Sequence, residues 1–475
     1  MSAGEPAMTP RGLRADLPFR RIALVLSGGG ALGAYEVGVL KVLEAVSLVP
    51  SVVAGVSIGA MNAVAWVAAG GRTAPLERTW REMRPAHIGL HWVALVLRAA
   101  GAFGAVLSLL EVVLGVIGSR ELSGSYWIWK HGSARVDVWS AQLDVTSWIV
   151  LAILCLLLAF FARQAEAWLV SGPAAADPTR GRRMLGRATL FAGVLHLLVW
   201  VMGWPWPHRF SASVVILLLL AWMGSGTGWF ARWLQRGGFG LMPETRGRGL
   251  WNGRARMRLL RRLVSEGDAS RLTGPDTRLV VSALALDGGR VTHFTSWPDP
   301  SREFRDRLEE QLGEVVPLRD ADELVRAAVA SSAIPGIFEP ERLAGRDFVD
   351  AGGFSNQPIH VALAAGADAV LVVLLSPSQS PTPALGTNDM FSLVGRLLEF
   401  ANWRDLQTEL RSLPAGWERE GDPARVCVIE PDRALPGTVL GFDPEQAGGL
   451  IALGELDAWL ALERAGWLAP AETTP

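Results

Sequence analysis

Cysteine and charged residues are both scarce in this chain. Only two of the 475 residues are cysteines, Cys155 and Cys427, and they lie far apart in the sequence. A disulfide framework and a zinc site built from cysteines are therefore not expected, and a reducing compartment fits the composition. The 46 acidic residues nearly cancel the 45 basic ones, leaving a net charge of -1. This balance gives no electrostatic reason to expect a nucleic-acid partner.

The N-terminal segment has no apolar run. Residues 1–20 are polar and contain several prolines and arginines. A cleavable secretory signal needs an apolar stretch after its basic residues, so this segment does not have that pattern. We expect it to be a disordered leader.

Apolar residues are concentrated in the middle of the chain. Half of all residues are hydrophobic and only 19% are charged, whereas an average soluble domain has about 25% charged residues. A helix needs roughly 17 to 25 residues to cross the hydrocarbon core of a membrane. Four segments approach or reach this length: 93–117, 145–162, 188–204 and 211–231.

The distribution of basic residues predicts how these segments are oriented. Arginines are most frequent before the first segment, between the second and third, and after the fourth. Because basic residues of short loops stay on the cytoplasmic side, the pattern predicts four spans with both ends in the cytoplasm. The first segment contains Arg98 and Glu111, so a re-entrant or amphipathic helix is the alternative for it. A very apolar helical lid or dimerisation domain is the alternative for the whole region.

Before this region, residues 21–69 have the pattern of alternating strands and helices. The run 21–27 is continuously apolar, as in a parallel strand that is buried on both faces. A loop, Gly28–Gly33, and a helix follow it. A second strand, 51–54, leads into Gly55-x-Ser57-x-Gly59 and another helix. Both loops lie at the carboxyl ends of strands, where α/β sheets place their reactive groups.

The two loops predict a serine nucleophile and an oxyanion hole. Gly-x-Ser-x-Gly between a strand and a helix is the pattern of a nucleophile elbow, and a glycine-rich turn with a capping serine is the alternative. The spacing of Gly28, Gly30 and Gly33 also fits a dinucleotide-binding loop. However, no acidic residue follows the second strand, which leads to Ser57 instead. We therefore interpret the N–H groups of Gly29 and Gly30 as donors for an oxyanion.

A serine nucleophile needs a base. Among the seven histidines, His360 is the best candidate for a conventional triad, although no histidine has a recognisable triad context. His293 is expected on a strand, in a surface or core position. A carboxylate held within hydrogen-bond distance of the serine is the other option.

Four motifs, taken together, resemble those of the patatin-like phospholipases. They are Gly28-Gly29-Gly30-x-x-Gly33, Gly55-x-Ser57-x-Gly59, the segment 330–338 (ASSAIPGIF), and Val349-Asp350-x-Gly352-x-x-x-Asn356-x-Pro358. This resemblance covers residues 20–85 and 275–375. It implies an α/β sheet sandwiched by helices and a Ser-Asp dyad without a metal or organic cofactor.

The resemblance also assigns roles to individual residues. Ser57 is then the nucleophile and Asp350 the base, with Gly28, Gly29 and Gly30 as the oxyanion loop. Gly55 and Gly59 form the elbow, and Gly352 belongs to the dyad motif.

One position departs from the family pattern. The dyad motif usually reads Asp-Gly-Gly or Asp-Gly-Ala, whereas this chain has Ala351 after Asp350. A literal Asp287-Gly288-Gly289 occurs between two strand-like runs, 278–286 and 290–297, where a hairpin turn explains it. We therefore favour Asp350 and expect Ala351 to affect the backbone next to the base.

The sequence thus predicts five parts. They are a leader at 1–20, a first hydrolase part at 21–90, a transmembrane insert at 91–235, a basic juxtamembrane connector at 236–270, and a second hydrolase part at 271–470. Further strands are expected at 367–375 and 424–429, and helices at 389–413 and 444–465. Because Ser57 and Asp350 lie on opposite sides of the insert but must meet, the insert must cross the membrane an even number of times.

The function expected from these features is cleavage of fatty-acyl esters, with a membrane phospholipid or lysophospholipid as substrate. An acyltransferase, a neutral-lipid esterase and an inactive membrane scaffold are the alternatives. We expect an integral protein of a bacterial inner membrane, with its catalytic part on the cytoplasmic side.

Overall fold

The computed structural model describes residues 12–121, 145–163, 165–166, 248–310, 313–379, 390–417 and 422–469. The chain divides into two compact units. The first comprises Met1–Leu90 and Arg248–Pro475, and the second comprises His91–Gly247.

Strands and helices alternate along much of the first unit. The strands are β1 Ile22–Leu26, β2 Val52–Val56, β3 Gly249–Trp251, β4 Arg278–Ala285, β5 Val291–Thr295, β6 Gly313–Pro317, β7 Gly336–Phe338, β8 Glu341–Leu343, β9 Arg346–Asp350, β10 Ala369–Val373 and β11 Val426–Ile429. The helices of the two units are α1 Ala34–Ala45, α2 Ile58–Ala68, α3 Ala74–Glu82, α4 Trp92–Glu121, α5 Val145–Phe160, α6 Arg254–Glu266, α7 Arg302–Glu309, α8 Ala321–Ser331, α9 Ile359–Ala364, α10 Met390–Arg411 and α11 Pro444–Arg464.

The centre of the first unit is a mixed sheet with the order β11-β10-β1-β2-β4-β5-β6. From β11 to β4 the neighbouring strands are parallel. The residues of β1 and β2 are all buried, which confirms the expectation drawn from their continuous apolar runs. Since β1 and β2 are parallel neighbours, the loops after both strands lie at the same edge of the sheet.

Helices cover both faces of this sheet. On one face, Val25 and Val52 share a buried cluster with Phe304 of α7, Ile359 of α9 and Leu406 of α10. Elsewhere α2 packs on β2 and α8 packs on β4. Helix α2 is buried along its whole length, so its position is fixed by packing on all sides. These layers match the expected α/β sheet sandwiched by helices.

Strand β9 brings the second part of the chain to the carboxyl end of β2. β2 pairs with the first half of β4, up to Val56 opposite Ser282. β9 runs antiparallel to β4 along the same edge and ends with Asp350 opposite Ala283. The two strands therefore meet end to end, and the residue that follows Val56 lies next to Asp350.

The secondary structure expected around these strands is confirmed in most places. The runs 278–286 and 290–297 form β4 and β5, an antiparallel pair. The Asp287-Gly288-Gly289 sequence is the loop between them, and the Asp287 carboxylate pairs with Arg346 at 2.7 Å. The expected strands and helices near the C-terminus are β10, β11, α10 and α11.

The expected disorder of residues 1–20 is wrong for residues 12–20. Leu13 forms a β-bridge with Leu468. Phe19 is buried, and its ring centroid lies 5.0 Å from that of Trp467. These two apolar side chains find partners near the C-terminal end of the chain, which sequence composition does not reveal. Residues 1–11 lie outside the described part.

The described part of the second unit consists mainly of α4 and α5. The two helices approach closely where Gly101 and Gly104 face α5, since a Cβ at Gly104 would lie 2.7 Å from the sulfur of Cys155. Next to these helices, His91 Nδ1 lies 2.7 Å from Glu166 Oε2.

Among the described residues, one helix is long and apolar enough to cross a membrane. It is α4, through the window Trp92–Leu109, which has a mean hydropathy of 1.8. One such helix is weak evidence, because a core helix of a soluble protein passes the same test. The predicted segments 188–204 and 211–231 lie outside the described residues, so the expected insert of four spans is not supported by the described part.

Candidate active site

The backbone at Ser57 forms a sharp turn between β2 and α2. Ser57 has φ +54° and ψ −122°, a left-handed conformation that is rare for a residue with a side chain. Both flanking glycines are close to backbone atoms: a Cβ at Gly55 would lie 2.7 Å from Ala60 N, and one at Gly59 would lie 2.5 Å from Leu26 O. The turn therefore has the geometry of a nucleophile elbow, and Ser57 lies at the N-terminus of α2.

Ser57 and Asp350 lie within hydrogen-bond distance. The Ser57 hydroxyl donates to Asp350 Oδ2 at 2.5 Å. The other carboxylate oxygen, Oδ1, accepts from the N–H of Gly352 at 2.8 Å. Both Ser57 and Asp350 are buried, at 5% and 8% exposure. The structure thus brings together the two residues that the sequence motifs single out.

Ala351 is accommodated without strain. Its side chain is fully buried in a small cluster with Val56, Leu284 and Val349. Its φ is not in the left-handed region, so an L-residue fits at this position. Gly352 leaves less room for a side chain, because a Cβ there would lie 3.0 Å from Asp350 Oδ1.

Burial raises the pKa of Asp350 to about 6. Desolvation is the largest cause. The hydrogen bonds from Ser57 and Gly352 and the charge of buried Arg256 oppose it. At neutral pH the carboxylate is therefore ionised, yet its pKa is close enough to neutrality for it to accept a proton in a reaction.

The glycine loop lies directly beside Ser57. A Cβ at Gly28 would be 3.0 Å from the Cβ of Ser57. The N–H of Gly28 donates to Asn356 Oδ1 at 3.0 Å, and that of Ala31 donates to Val439 O at 2.8 Å. Between them, the N–H groups of Gly29 and Gly30 have no hydrogen-bond acceptor within the described part of the chain. Of the three expected oxyanion donors, Gly28 is thus already hydrogen-bonded within the protein.

Ser331 holds the turn at Ser57 in place. Its hydroxyl accepts from the Ser57 N–H at 2.8 Å and donates to Ser282 O at 2.6 Å. Sequence reasoning assigned no role to Ser331, although it lies within the 330–338 motif. The motif signals its importance, but its two partners are distant in sequence and become visible only in the structure.

His360 and His293 are hydrogen-bonded to side chains other than Ser57. His360 Nδ1 is hydrogen-bonded to Glu409, and His293, on β5 as expected, lies 2.9 Å from the Ser282 hydroxyl. The hydroxyl of Ser57 donates to Asp350 instead. Among the described residues, no group of three or more His, Cys, Asp or Glu side chains is placed to hold a metal ion.

The role of Ser331 predicts a measurable cost of its removal. In a Ser331→Ala variant the buried N–H of Ser57 loses its acceptor, which we expect to lower the free energy of unfolding by about 1–3 kcal/mol and kcat by about tenfold. Ser355→Ala is the matched control, because Ser355 is also buried but its hydroxyl has no partner among the described residues. Denaturant unfolding and steady-state kinetics check both variants. Equal stability of the two variants would contradict this role.

The family model of the patatin-like phospholipases matches residues 24–148 and 149–363, which is more than half of the chain. The chain belongs to the patatin-like phospholipase family. Membership in the family implies a lipid acyl hydrolase. The match also runs through residues 91–235, which the motif resemblance had left outside the common part of the family.

Among solved structures, VipD from Legionella pneumophila is similar to this patatin-like chain, with 13% identity over 96% of this chain and 70% of its own. Its TM-score is 0.33, too low to support a structural argument. No match was found among curated proteins.

Proposed function

We propose that the chain is a membrane-anchored serine lipid acyl hydrolase, of phospholipase A or lysophospholipase type, that uses Ser57 and Asp350. The observation that carries the proposal is the hydrogen bond from the Ser57 hydroxyl to Asp350 Oδ2, 2.5 Å long, beside a glycine loop with two available N–H groups. Family membership supports the class of substrate.

In the proposed reaction, Asp350 takes the proton of the Ser57 hydroxyl as the serine oxygen attacks the ester carbonyl. The N–H groups of Gly29 and Gly30 donate to the oxyanion of the tetrahedral intermediate. Asp350 then returns the proton to the leaving alcohol, and the acyl group stays on Ser57. A water molecule, deprotonated by Asp350, releases the fatty acid and restores the serine.

Product analysis with defined lipids tests this function. The wild-type protein is incubated with a diacyl phospholipid, a lysophospholipid and a triacylglycerol, each with and without a second lipid as acyl acceptor. Free fatty acid from the first two, absent in a Ser57→Ala variant, is the expected result. Acyl transfer to the acceptor lipid, or cleavage of the triacylglycerol alone, would replace the hydrolase proposal by one of its alternatives.

The raised pKa of Asp350 predicts the pH dependence of activity. A general base must be ionised, so kcat/KM is expected to rise with pH up to about 6 and to be level above it. Two pH units below the midpoint the rate is then about 100-fold lower than on the plateau. The same fall in kcat/KM at acidic pH, the acidic limb of the profile, is expected in a His360→Gln variant. His360 is hydrogen-bonded to Glu409 rather than to Ser57 or Asp350. Loss of the limb in that variant would contradict the assignment of Asp350 as base.

Membrane anchoring is supported by the second unit. Apolar side chains of α5 are exposed, among them Ile153, Leu154, Leu156 and Phe160, and only 22% of the apolar window of α4 is buried. An exposed apolar surface of this kind suits a lipid environment. We place the protein in a bacterial inner membrane with the first unit in the cytoplasm, as the distribution of arginines predicts.

Extraction at alkaline pH tests the anchoring separately. Membranes that contain the protein are washed with sodium carbonate and sedimented. We expect the protein in the pellet. Release into the supernatant would overturn the anchoring and leave the proposed chemistry untouched.

A further inference from the structure

Asn356 connects the two loops of the candidate active site. The residue is buried, with 5% exposure. Its Oδ1 accepts from the Gly28 N–H at 3.0 Å, and its Nδ2 donates to Gly28 O at 3.2 Å. A carboxamide has one donor face and one acceptor face, so it pairs with both polar groups of a single residue.

The contact is tight on both sides of the carboxamide. A Cβ at Gly28 would lie 2.5 Å from Asn356 Oδ1, and a Cβ at Gly352 would lie 3.0 Å from the same oxygen. Gly28 begins the glycine loop, whereas Gly352 donates to the proposed base. The carboxamide therefore fills the space between these two loops, and a shift of either loop would break its contacts.

Helix α10 binds the backbone of the segment that contains Asn356. The backbone N–H of Asn356 donates to Asp405 Oδ2 at 3.0 Å. One turn later on the same helix, Glu409 accepts from the N–H of His360 at 2.9 Å. The two carboxylates thus fix the chain on both sides of Pro358, and the position of Asn356 does not depend on its own side chain alone.

The glycine loop is consequently held at two points. Asn356 binds Gly28 at its start, and the carbonyl of Val439 binds the N–H of Ala31 at 2.8 Å. Gly29 and Gly30 lie between these points, and their N–H groups have no hydrogen-bond acceptor in the part of the chain that the structure describes. Two fixed ends determine where the intervening N–H groups point, and such preorganised donors are what an oxyanion requires.

We propose that Asn356, held by Asp405, is a positioning residue that aims the N–H groups of Gly29 and Gly30 at the oxyanion. The proposal rests on the hydrolase function proposed above. Asn356 itself does not touch the reacting atoms. It acts through Gly28.

The first test is an Asn356→Leu variant, which keeps the size of the side chain and removes both hydrogen bonds. We expect kcat for a fatty-acyl p-nitrophenyl ester to fall about 100-fold, as for the loss of one oxyanion donor, with KM changed by less than about threefold. An Asn356→Asp variant keeps an acceptor for the Gly28 N–H, but its second carboxylate oxygen faces the Gly28 carbonyl oxygen and repels it. It is expected to lose at least about tenfold in kcat and covers the case in which the leucine variant does not fold.

Inhibition by a fatty-alkyl trifluoromethyl ketone separates positioning from a structural role. The ketone adds to a serine and forms an oxyanion, so its affinity reports stabilisation of that charge. Its Ki is expected to rise by the same factor by which kcat/KM falls. Partial misfolding would lower the measured kcat but leave Ki unchanged, and that result would overturn the proposal.

Asp405 offers a second, matched pair of variants. Asp405→Asn keeps an oxygen that accepts from the Asn356 N–H, and is expected to stay within about threefold of wild-type kcat. Asp405→Leu removes the acceptor and is expected to lose about tenfold. Gln357→Met is the control, since Gln357 is also a buried amide next to Asn356 but its Oε1 has no partner among the described residues.

Ser57→Ala is measured in parallel so that the two proposals can fail separately. If Ser57→Ala keeps wild-type kcat, the proposed hydrolase function is wrong. If Ser57→Ala is inactive and Asn356→Leu retains wild-type kcat and Ki, the function stands and the positioning role of Asn356 is wrong.

Discussion

An Asp350→Asn variant is expected to lose about 10³-fold in kcat/KM for ester cleavage, because an amide cannot take the proton of Ser57. The substitution keeps the shape of the side chain and leaves an oxygen that accepts from the Gly352 N–H. Loss of activity would therefore reflect loss of the base rather than a collapsed site. Steady-state kinetics on a soluble ester checks this, and retention of more than a tenth of the activity would contradict the dyad.

The same variant is expected to be more stable than the wild type at neutral pH. The pKa of Asp350 is raised from 3.8 to about 6 in the folded protein, so the native state binds its proton more tightly than the unfolded state does. The stabilisation that comes from this tighter proton binding is fully present below pH 3.8 and is lost as the pH rises through about 6. A pKa shift of this size lowers the free energy of unfolding of the wild type by about 3 kcal/mol above pH 6.

A pH series of unfolding midpoints tests this stability effect. The difference in stability between Asp350→Asn and the wild type should widen between pH 4 and 6 and be constant at higher pH. A difference that does not depend on pH would show that Asp350 is not desolvated. Loss of activity together with a gain of stability is the expected pattern for a buried, desolvated carboxylate that serves as a base.

Ser57 gives the second large effect. Removing the proposed nucleophile in Ser57→Ala or Ser57→Gly is expected to lower kcat by about 10⁴- to 10⁶-fold. The two variants should differ in stability, because the backbone at Ser57 has φ +54° and ψ −122°. Glycine adopts this conformation without strain. The free energy of unfolding of Ser57→Gly is therefore expected to be about 1–2 kcal/mol higher than that of Ser57→Ala. Equal stabilities would contradict the strained elbow.

The sequence predicts the elements on which the site lies because their signals are local. A continuous apolar run predicts a buried parallel strand, and β1 and β2 are both such runs. Glycines directly after these strands predict tight loops, and the structure places Gly28 and Ser57 side by side. The hairpin that contains Asp287 could be foreseen for the same reason.

The partners of these elements could not be predicted from periodicity. Asp350 reaches Ser57 because β9 continues the edge of β4 where β2 ends, and only the family motifs indicated this pairing in the sequence. Asp405 accepts from the backbone N–H of a residue 49 positions away in the sequence. Asp405 itself lies on α10, a helix whose sequence pattern predicts packing and no role at the site. The burial of Phe19 against Trp467 likewise depends on tertiary contact.

We propose that Ser57 is an activated nucleophile. Labelling of membranes by a fluorophosphonate probe tests it most directly, since such probes react with activated serines. We expect that the wild-type protein is labelled, that the Ser57→Ala variant is not, and that labelling of Asp350→Asn is strongly slowed. Absence of labelling in a folded, membrane-inserted wild-type protein would contradict the account and favour an inactive scaffold.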